Sequence, residues 1–262
     1  MDRVVAWIAR LVFVFLYVPI VAVIVYSFNA SRSTSTWGGV SLQWYGELFR
    51  DGALLQTLRT SLIVGISAAF LATLIGFLAA LGLSRYRLRG HRFVLGAVLL
   101  PLIVPEIVLG AALLSVFSFA DIRLSIFTMV LGHLVITLPL ATLILMGALS
   151  SLDPTLPEAA ADLGASPWQT FTRVLFPLTR SALLAAFLLS FTTSFSNIVI
   201  STFTGGVGST TLPLRVYSLL KTGVTPEINA LGALLILLTI GIVSAVGLRQ
   251  MRRILAGSTP TP

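Results

Sequence analysis

Few residues of this chain are equipped for chemistry, and those few gather in two settings. The first is Glu158-Ala159-Ala160-Ala161-Asp162-Leu163-Gly164, in a polar interval between two long apolar segments and followed by Pro177. Glu158 and Asp162 stand four apart, so a helix through them presents both carboxylates on one face, and both suit its positive N-terminal end. Ala159 and Ala160 allow close approach by another molecule, while Pro157 marks the helix start and Gly164 its stop. The second setting is Glu106, a carboxylate inside an apolar run, with His133 in the next run and the polar pair Ser196-Asn197 in the one after. Such groups can bind a solute, relay a proton or satisfy buried backbone.

They do not compose an enzyme. No serine–histidine pair, carboxylate dyad or metal-ligand cluster is visible, since His91 and His133 fall on different sides of a span. The absence of cysteine removes disulfides, thiolate zinc sites and cysteine nucleophiles. No Gly-x-x-x-x-Gly-Lys-Ser/Thr loop occurs, and the single lysine, Lys221, lies in a segment assigned to the outside, so this chain does not hydrolyse nucleotide.

The elements that must position these groups are membrane helices. With 56% hydrophobic and 10% charged residues and a mean hydropathy of +1.00, the chain has too little polar surface to cover a soluble globule. Its net charge of +8 comes from basic residues at the ends of apolar runs, which points to membrane orientation and lipid headgroups, not to nucleic acid. Apolar stretches predict an all-α membrane protein with six transmembrane helices, about Val4–Phe28, Leu58–Leu83, Phe93–Phe119, Leu124–Leu149, Ala182–Thr204 and Asn229–Leu248. The first run is longer than the apolar core of a signal peptide and reads as a retained helix. With the N-terminus inside, eleven of the seventeen Arg and Lys residues fall on the cytoplasmic side and six outside, so both termini are expected in the cytoplasm. The basic turn Arg85 to Arg92 reads as a topology anchor beside anionic lipid. Residues 1–256 are expected to form one transmembrane domain, with its core at about 57–250, and 257–262 a disordered tail.

Two intervals between spans are long enough to act. Asn29 to Thr57, outside, holds Trp37, Trp44 and Tyr45, expected as interfacial aromatics beside a short amphipathic helix at Leu42–Phe49. Ser150 to Ser181, inside, lies between helices 4 and 5. Its Pro154, Pro157, Gly164, Pro167 and Pro177 predict two short helical pieces, Leu156–Leu163 and Pro167–Val174, in a helix-turn-helix bracket. Trp168 and Phe171, three apart, share a side of the second piece. An apolar anchor with an acidic rim suits a groove in another protein.

This loop resembles the signature of the inner-membrane permease subunits of binding-protein-dependent ABC importers of type I, which reads Glu-Ala-Ala, three residues, Gly, nine residues, Ile, one residue, Leu-Pro. Glu158, Ala159, Ala160, Gly164 and Pro177 match at the right spacing, with Val174 for the isoleucine and Phe176 for the leucine. The likeness runs from about Arg10 to Arg253 and is nearest to the spermidine/putrescine permease group, through Ser27-Phe28-Asn29, Trp44-Tyr45, Pro105-Glu106, Gly132-His133, Leu212-Pro213 and Gly223 to Leu231. The resemblance implies a bacterial inner-membrane protein whose loop, with Glu158, Ala159, Ala160, Asp162, Gly164 and Trp168, is a coupling helix docking into an ATPase. It further implies a second permease subunit, preferably a distinct homologue, two ATP-binding cassette subunits that carry ATP and Mg, and an extracytoplasmic solute-binding protein. No cofactor is expected in this chain.

Glu106, His133, Ser196 and Asn197 are the candidates for the translocation path. Along a straight third span Glu106 would lie about 20 Å from Phe93, near mid-membrane, where a carboxylate costs about 2.5–3.5 kcal/mol. A wet cavity and a cationic solute would explain that cost; a structural partner, or capping of a kink at Pro101 or Pro105, is the alternative. His133 reads more readily as a packing residue than as a ligand. Related polyamine permeases carry two acidic residues where this chain has Ser196 and Asn197, which leaves two readings of the solute. It is a polyamine, or another small organic solute such as an amino-acid derivative, an opine or an aminophosphonate. A stand-alone secondary carrier is the competing class, but it would carry more buried titratable groups and inverted repeats.

Overall fold

The computed structural model describes residues 2–33, 35–85, 90–223, 225–237 and 240–241. Nearly all of them are helical: α1 (Asp2–Tyr26), α2 (Gln43–Arg50), α3 (Gly52–Arg85), α4 (His91–Ile103), α5 (Glu106–Phe119), α6 (Ile126–Ser150), α7 (Leu156–Asp162), α8 (Pro167–Thr170), α9 (Phe176–Ser196), α10 (Val199–Thr204), α11 (Leu212–Thr222) and α12 (Pro226–Leu237). Among the described residues four helical stretches are long and apolar enough to cross a membrane, namely Val4–Tyr26, Gly52–Ser84, Ile126–Ser150 and Pro167–Ser196. They become five if the bent pair α4–α5 is one span. The sixth expected span, Asn229–Leu248, is described only in part, and residues 86–89 of the basic turn, Arg249 to Arg253 and the 257–262 tail lie outside the described residues.

Two spans differ from the straight helices expected. The third is broken between α4 and α5, which meet at a bend of 110°. Val104 is extended (φ −76°, ψ 131°) because the following proline disfavours helical backbone before it, and Pro105 has no N–H to continue the ladder. A depth for Glu106 counted along one straight helix is therefore corrected: Glu106 is the first residue of a new helix. The fifth span stops at Ser196, turns through an extended Asn197 (φ −77°, ψ 122°), and restarts as the short α10. Its beginning also differs. The piece expected at Pro167–Val174 is not separate but runs through a π-helical turn, Phe171–Leu175, directly into α9. That wider turn sits just before Pro177, whose ring would crowd the preceding turn of a regular α-helix and whose nitrogen has no proton to donate.

Backbone contacts divide the chain into two compact units, one of Gln56–Arg215 and one built from both chain ends, up to Leu55 and from Val216 onward. In the larger unit α6 packs along α9. Every fourth residue of α6, Met129, His133, Thr137, Ala141, Leu145 and Leu149, is buried, and so are Ala186, Ser190 and Ser194 on α9. Small side chains at this spacing let helices approach closely where lipid gives no hydrophobic drive between them. Ala72, Phe77 and Ala80 of α3 complete that core. In the other unit the loop after α1 folds around Asn29, whose amide donates to the Ser33 and Thr36 carbonyls and accepts from Ser31 and Gly38 N–H. Trp44, expected at the lipid interface, is instead 4% exposed with Nε1 donating to the Asn29 carbonyl at 2.6 Å, and Tyr45 pairs with Ser27. Trp37 remains exposed.

The turn after α10 is held by a close approach. A methyl group on Gly206 would run into the Leu124 carbonyl, a backbone atom unable to rotate aside, whereas at Gly147 a methyl meets nothing within 4 Å. Gly206→Ala is expected to destabilise the protein by about 1–3 kcal/mol, seen as a melting temperature several degrees lower in detergent, with Gly147→Ala unchanged. Equal melting of the two variants would remove the steric role of Gly206.

Candidate functional site

The break in the fifth span creates the first site. At Asn197 the last turn of α9 and the first turn of α10 lose their helical partners, and side chains take over. Asn197 Oδ1 accepts the Ile200 N–H in the first turn of α10 at 2.8 Å, and the Asn197 carbonyl accepts from the Ser201 hydroxyl at 2.9 Å. With its oxygen spent on α10, the amide nitrogen points the other way and donates to Glu106 Oε2 at 3.1 Å. Glu106 opens α5, where a carboxylate is favoured by the helix dipole.

Glu106 and Asn197 line one open cavity of about 480 Å³ with Thr192, Thr193, Ser196, Ile198 and Val199. Glu106 at the start of α5 and the pair Ser196-Asn197 at the end of α9 are thus brought together. The hydroxyls of Thr192 and Ser196 donate back into α9, to the Leu188 and Thr192 carbonyls at 2.9 Å. Their remaining capacity is as acceptors, and the carboxylate is acceptor-only. A cavity lined this way matches a donor-rich cation better than an anion.

His133 is not among the lining residues. It is 1% exposed, on α6, with Nδ1 at 2.7 Å from the Ser194 hydroxyl and Nε2 at 3.0 Å from the Ser201 hydroxyl. Both ring nitrogens are satisfied inside the protein, in keeping with the packing reading. Ser194, Ser201 and Thr192 were missed in the sequence. The available signal was Asn197 itself, a strong N-cap residue three positions before Ile200, in a stretch read as uninterrupted helix.

The second site is the loop between α6 and α9. Asp153 forms a side-chain turn with Thr155, its Oδ1 accepting from the Thr155 N–H at 2.9 Å and hydroxyl at 2.7 Å. The chain then enters α7 with Pro157 in its first turn. Gly164 ends it at φ +82°. Gly164 N–H bonds the Ala161 carbonyl at 2.8 Å and Ala165 N–H the Ala160 carbonyl at 3.0 Å, the paired bonds of a Schellman stop. Ser166 and Gln169 cap α8 reciprocally. Phe171 stacks on Trp168 at 5.5 Å and meets Phe77 of α3 edge-on at 5.9 Å, which fixes the bracket to the bundle. Between α7, α8 and Leu81 lies a cavity of about 400 Å³. Glu158, Ala159, Asp162 and Gly164 are exposed and Ala160 half-buried, while Leu163 and Trp168 are 89% and 71% exposed. The loop presents a rigid knob with apolar and acidic groups outermost.

Comparison with known proteins agrees with the resemblance in the sequence. The family described as binding-protein-dependent transport system inner membrane component matches residues 72–256. The spermidine/putrescine transport system permease protein PotC of Haemophilus influenzae is 39% identical over 232 residues, 88% of this chain and 90% of that protein. PotC of Escherichia coli is 38% identical over 234 residues, 89% of each. The putrescine transport system permease protein PotI of Escherichia coli is 37% identical over 248 residues, 92% of this chain and 88% of that one. A solved bacterial ABC transporter involved in import of the acidic polysaccharide alginate superposes with a TM-score of 0.72 over 95% of both chains, at 16% identity, and supports the fold. Its α-helical bundle, its signature loop and these relatives together place the chain in the family of binding-protein-dependent transport system inner membrane components, as a multi-pass permease subunit of the inner membrane.

Proposed function

We propose that this chain, with a second and distinct permease subunit, forms the path of an ATP-driven importer for a polyamine or a related small amine. The observation that carries the reading is the cavity at Glu106. It offers a carboxylate oxygen and hydroxyl acceptors to a solute, and ammonium groups supply the matching charge-assisted donors. Relatives named for spermidine and putrescine transport support the solute class. A second reading rests on the neutral Ser196 and Asn197 beside that single carboxylate: a solute with one ammonium group, such as an amino-acid derivative, an opine or an aminophosphonate.

The energy comes from elsewhere. Two ATPase subunits hold ATP and Mg, an extracytoplasmic binding protein delivers solute, and both termini of this chain are cytoplasmic, which puts α7 on the ATPase side. Glu158, Ala159, Ala160, Asp162, Gly164 and Trp168 form the face that docks there. Pro167–Ser196 is helical throughout, a strut about 45 Å long whose lower end carries Trp168 and whose upper end carries Ser196. Displacement of the knob by ATP-driven closure reaches the break at Asn197 through that strut. The shift in population comes from the differential affinity of ATP for the closed motor.

Glu106→Gln is expected to raise KM for putrescine at least about tenfold, the cost of one charge-assisted contact, with unchanged assembly of the complex; unaltered uptake in membrane vesicles would remove Glu106 from the path. Gly164→Val places a branched side chain in left-handed backbone at a cost of about 1–2 kcal/mol. It and Glu158→Lys are expected to leave insertion intact while ATP hydrolysis no longer drives uptake, and Gly164→Asn, tolerant of that backbone, to retain most coupling. Binding-protein-stimulated ATPase and uptake at wild-type ratio in Gly164→Val and Glu158→Lys would refute the docking role.

A further inference from the structure

We infer that His133 is the positioning residue of the Glu106–Asn197 site, a clamp that holds α10 against the end of α9 and so aims the Asn197 amide; its effect on substrate rests on the reading of that cavity as the solute path. The geometry runs in one unbroken chain. Ser194 belongs to α9, before the break, and Ser201 to α10, after it, and His133 of α6 bonds both, at 2.7 and 3.0 Å. The Ser201 hydroxyl donates its one proton to the Asn197 carbonyl. It can then only accept from the ring, so Nε2 carries the proton. In that tautomer Nδ1 is the acceptor and takes the proton of the Ser194 hydroxyl.

The consequence concerns Asn197. Its side-chain oxygen is tied to the Ile200 N–H at the start of α10 and its nitrogen to Glu106. Any swing of α10 about the break therefore moves the amide away from the carboxylate. Other contacts hold the far end of α10: the Thr128 hydroxyl donates to the Thr204 carbonyl at 2.8 Å, and Phe203 fills the space above Gly110 of α5. At the near end, where the cavity lies, the ring of His133 joins the two half-helices directly. Its two nitrogens face in different directions on a rigid ring, which a single hydroxyl or an apolar side chain cannot reproduce.

The test uses the assembled transporter with radiolabelled putrescine. His133→Leu is expected to raise KM about tenfold, as for loss of a buried hydrogen-bonded support, with turnover at saturation within about twofold. His133→Gln, which can still donate to Ser201, should recover KM to within about threefold, and Ser201→Ala, a smaller lesion, should reproduce the rise if His133→Leu fails to assemble. In a Glu106→Gln background His133→Leu should add less than twofold. Equal loss of KM and turnover in the Leu and Gln variants, or a full His133 effect without Glu106, would overturn the clamp. A second arm does not depend on the solute. The chain has no cysteine, so Val199→Cys in the cavity wall supplies its single thiol for a small cationic thiol reagent, with the unsubstituted complex as the blank. His133→Leu should change its labelling rate at least about threefold, and an unchanged rate would sink the clamp. If Glu106→Gln transports normally yet labelling shifts, the positioning role stands and the assignment of the cavity as the solute path fails.

Discussion

A helix can be interrupted inside an apolar layer only where other groups take up the hydrogen bonds its backbone gives up, because hydrocarbon offers none. That constraint organises the larger unit of this protein. The fifth span breaks at Asn197, and the exposed amides and carbonyls are met by the Asn197 side chain, by Ser201 and, one step removed, by His133. The third span breaks at Pro105, and the helix that restarts places Glu106 at its first position. The two breaks face one another, joined by the bond from Asn197 to Glu106. A polar cavity in a membrane protein is built here out of the repairs to two interrupted helices.

The same helix that ends at this break begins at the knob of α7 and α8. Phe171, with Trp168 stacked on it, anchors its lower end to Phe77, and the π-helical turn before Pro177 keeps it continuous where a proline would otherwise divide it. A separate second helix in the bracket would have given a hinge between knob and cavity. Continuity gives a strut instead, and the stiffness of a helix makes it suited to carrying a displacement across the membrane.

Much of the architecture is legible in the sequence. The first helix of the bracket, bounded by Pro157 and Gly164, is where local rules put it, because Pro at a helix start and Gly in left-handed backbone at its end act through nearest neighbours. In span three Pro105 marks a candidate kink with Glu106 as its cap, but the size of the 110° bend is not written in the sequence, since an apolar run outweighs a single proline in any length count. Trp44 and Tyr45 were assigned to the lipid interface, and they pack instead against Asn29 and Ser27, because a loop that closes on its own asparagine buries its aromatics. His133 was read as packing more than as ligand, and its two hydroxyl partners explain why an imidazole is tolerated there.

Sequence alone determined the class of the protein, its helical membrane character and the bounds of the α7 knob, since hydropathy and helix caps are properties of residues close together in the chain. Tertiary structure decided which polar residues form a site. Glu106 and Asn197 lie ninety-one positions apart, and Ser194 and Ser201 are sixty-one and sixty-eight from His133. Their meeting depends on where two helices break and how α6 packs beside them, and such a meeting is fixed by the summed packing of many side chains, not by any local pattern.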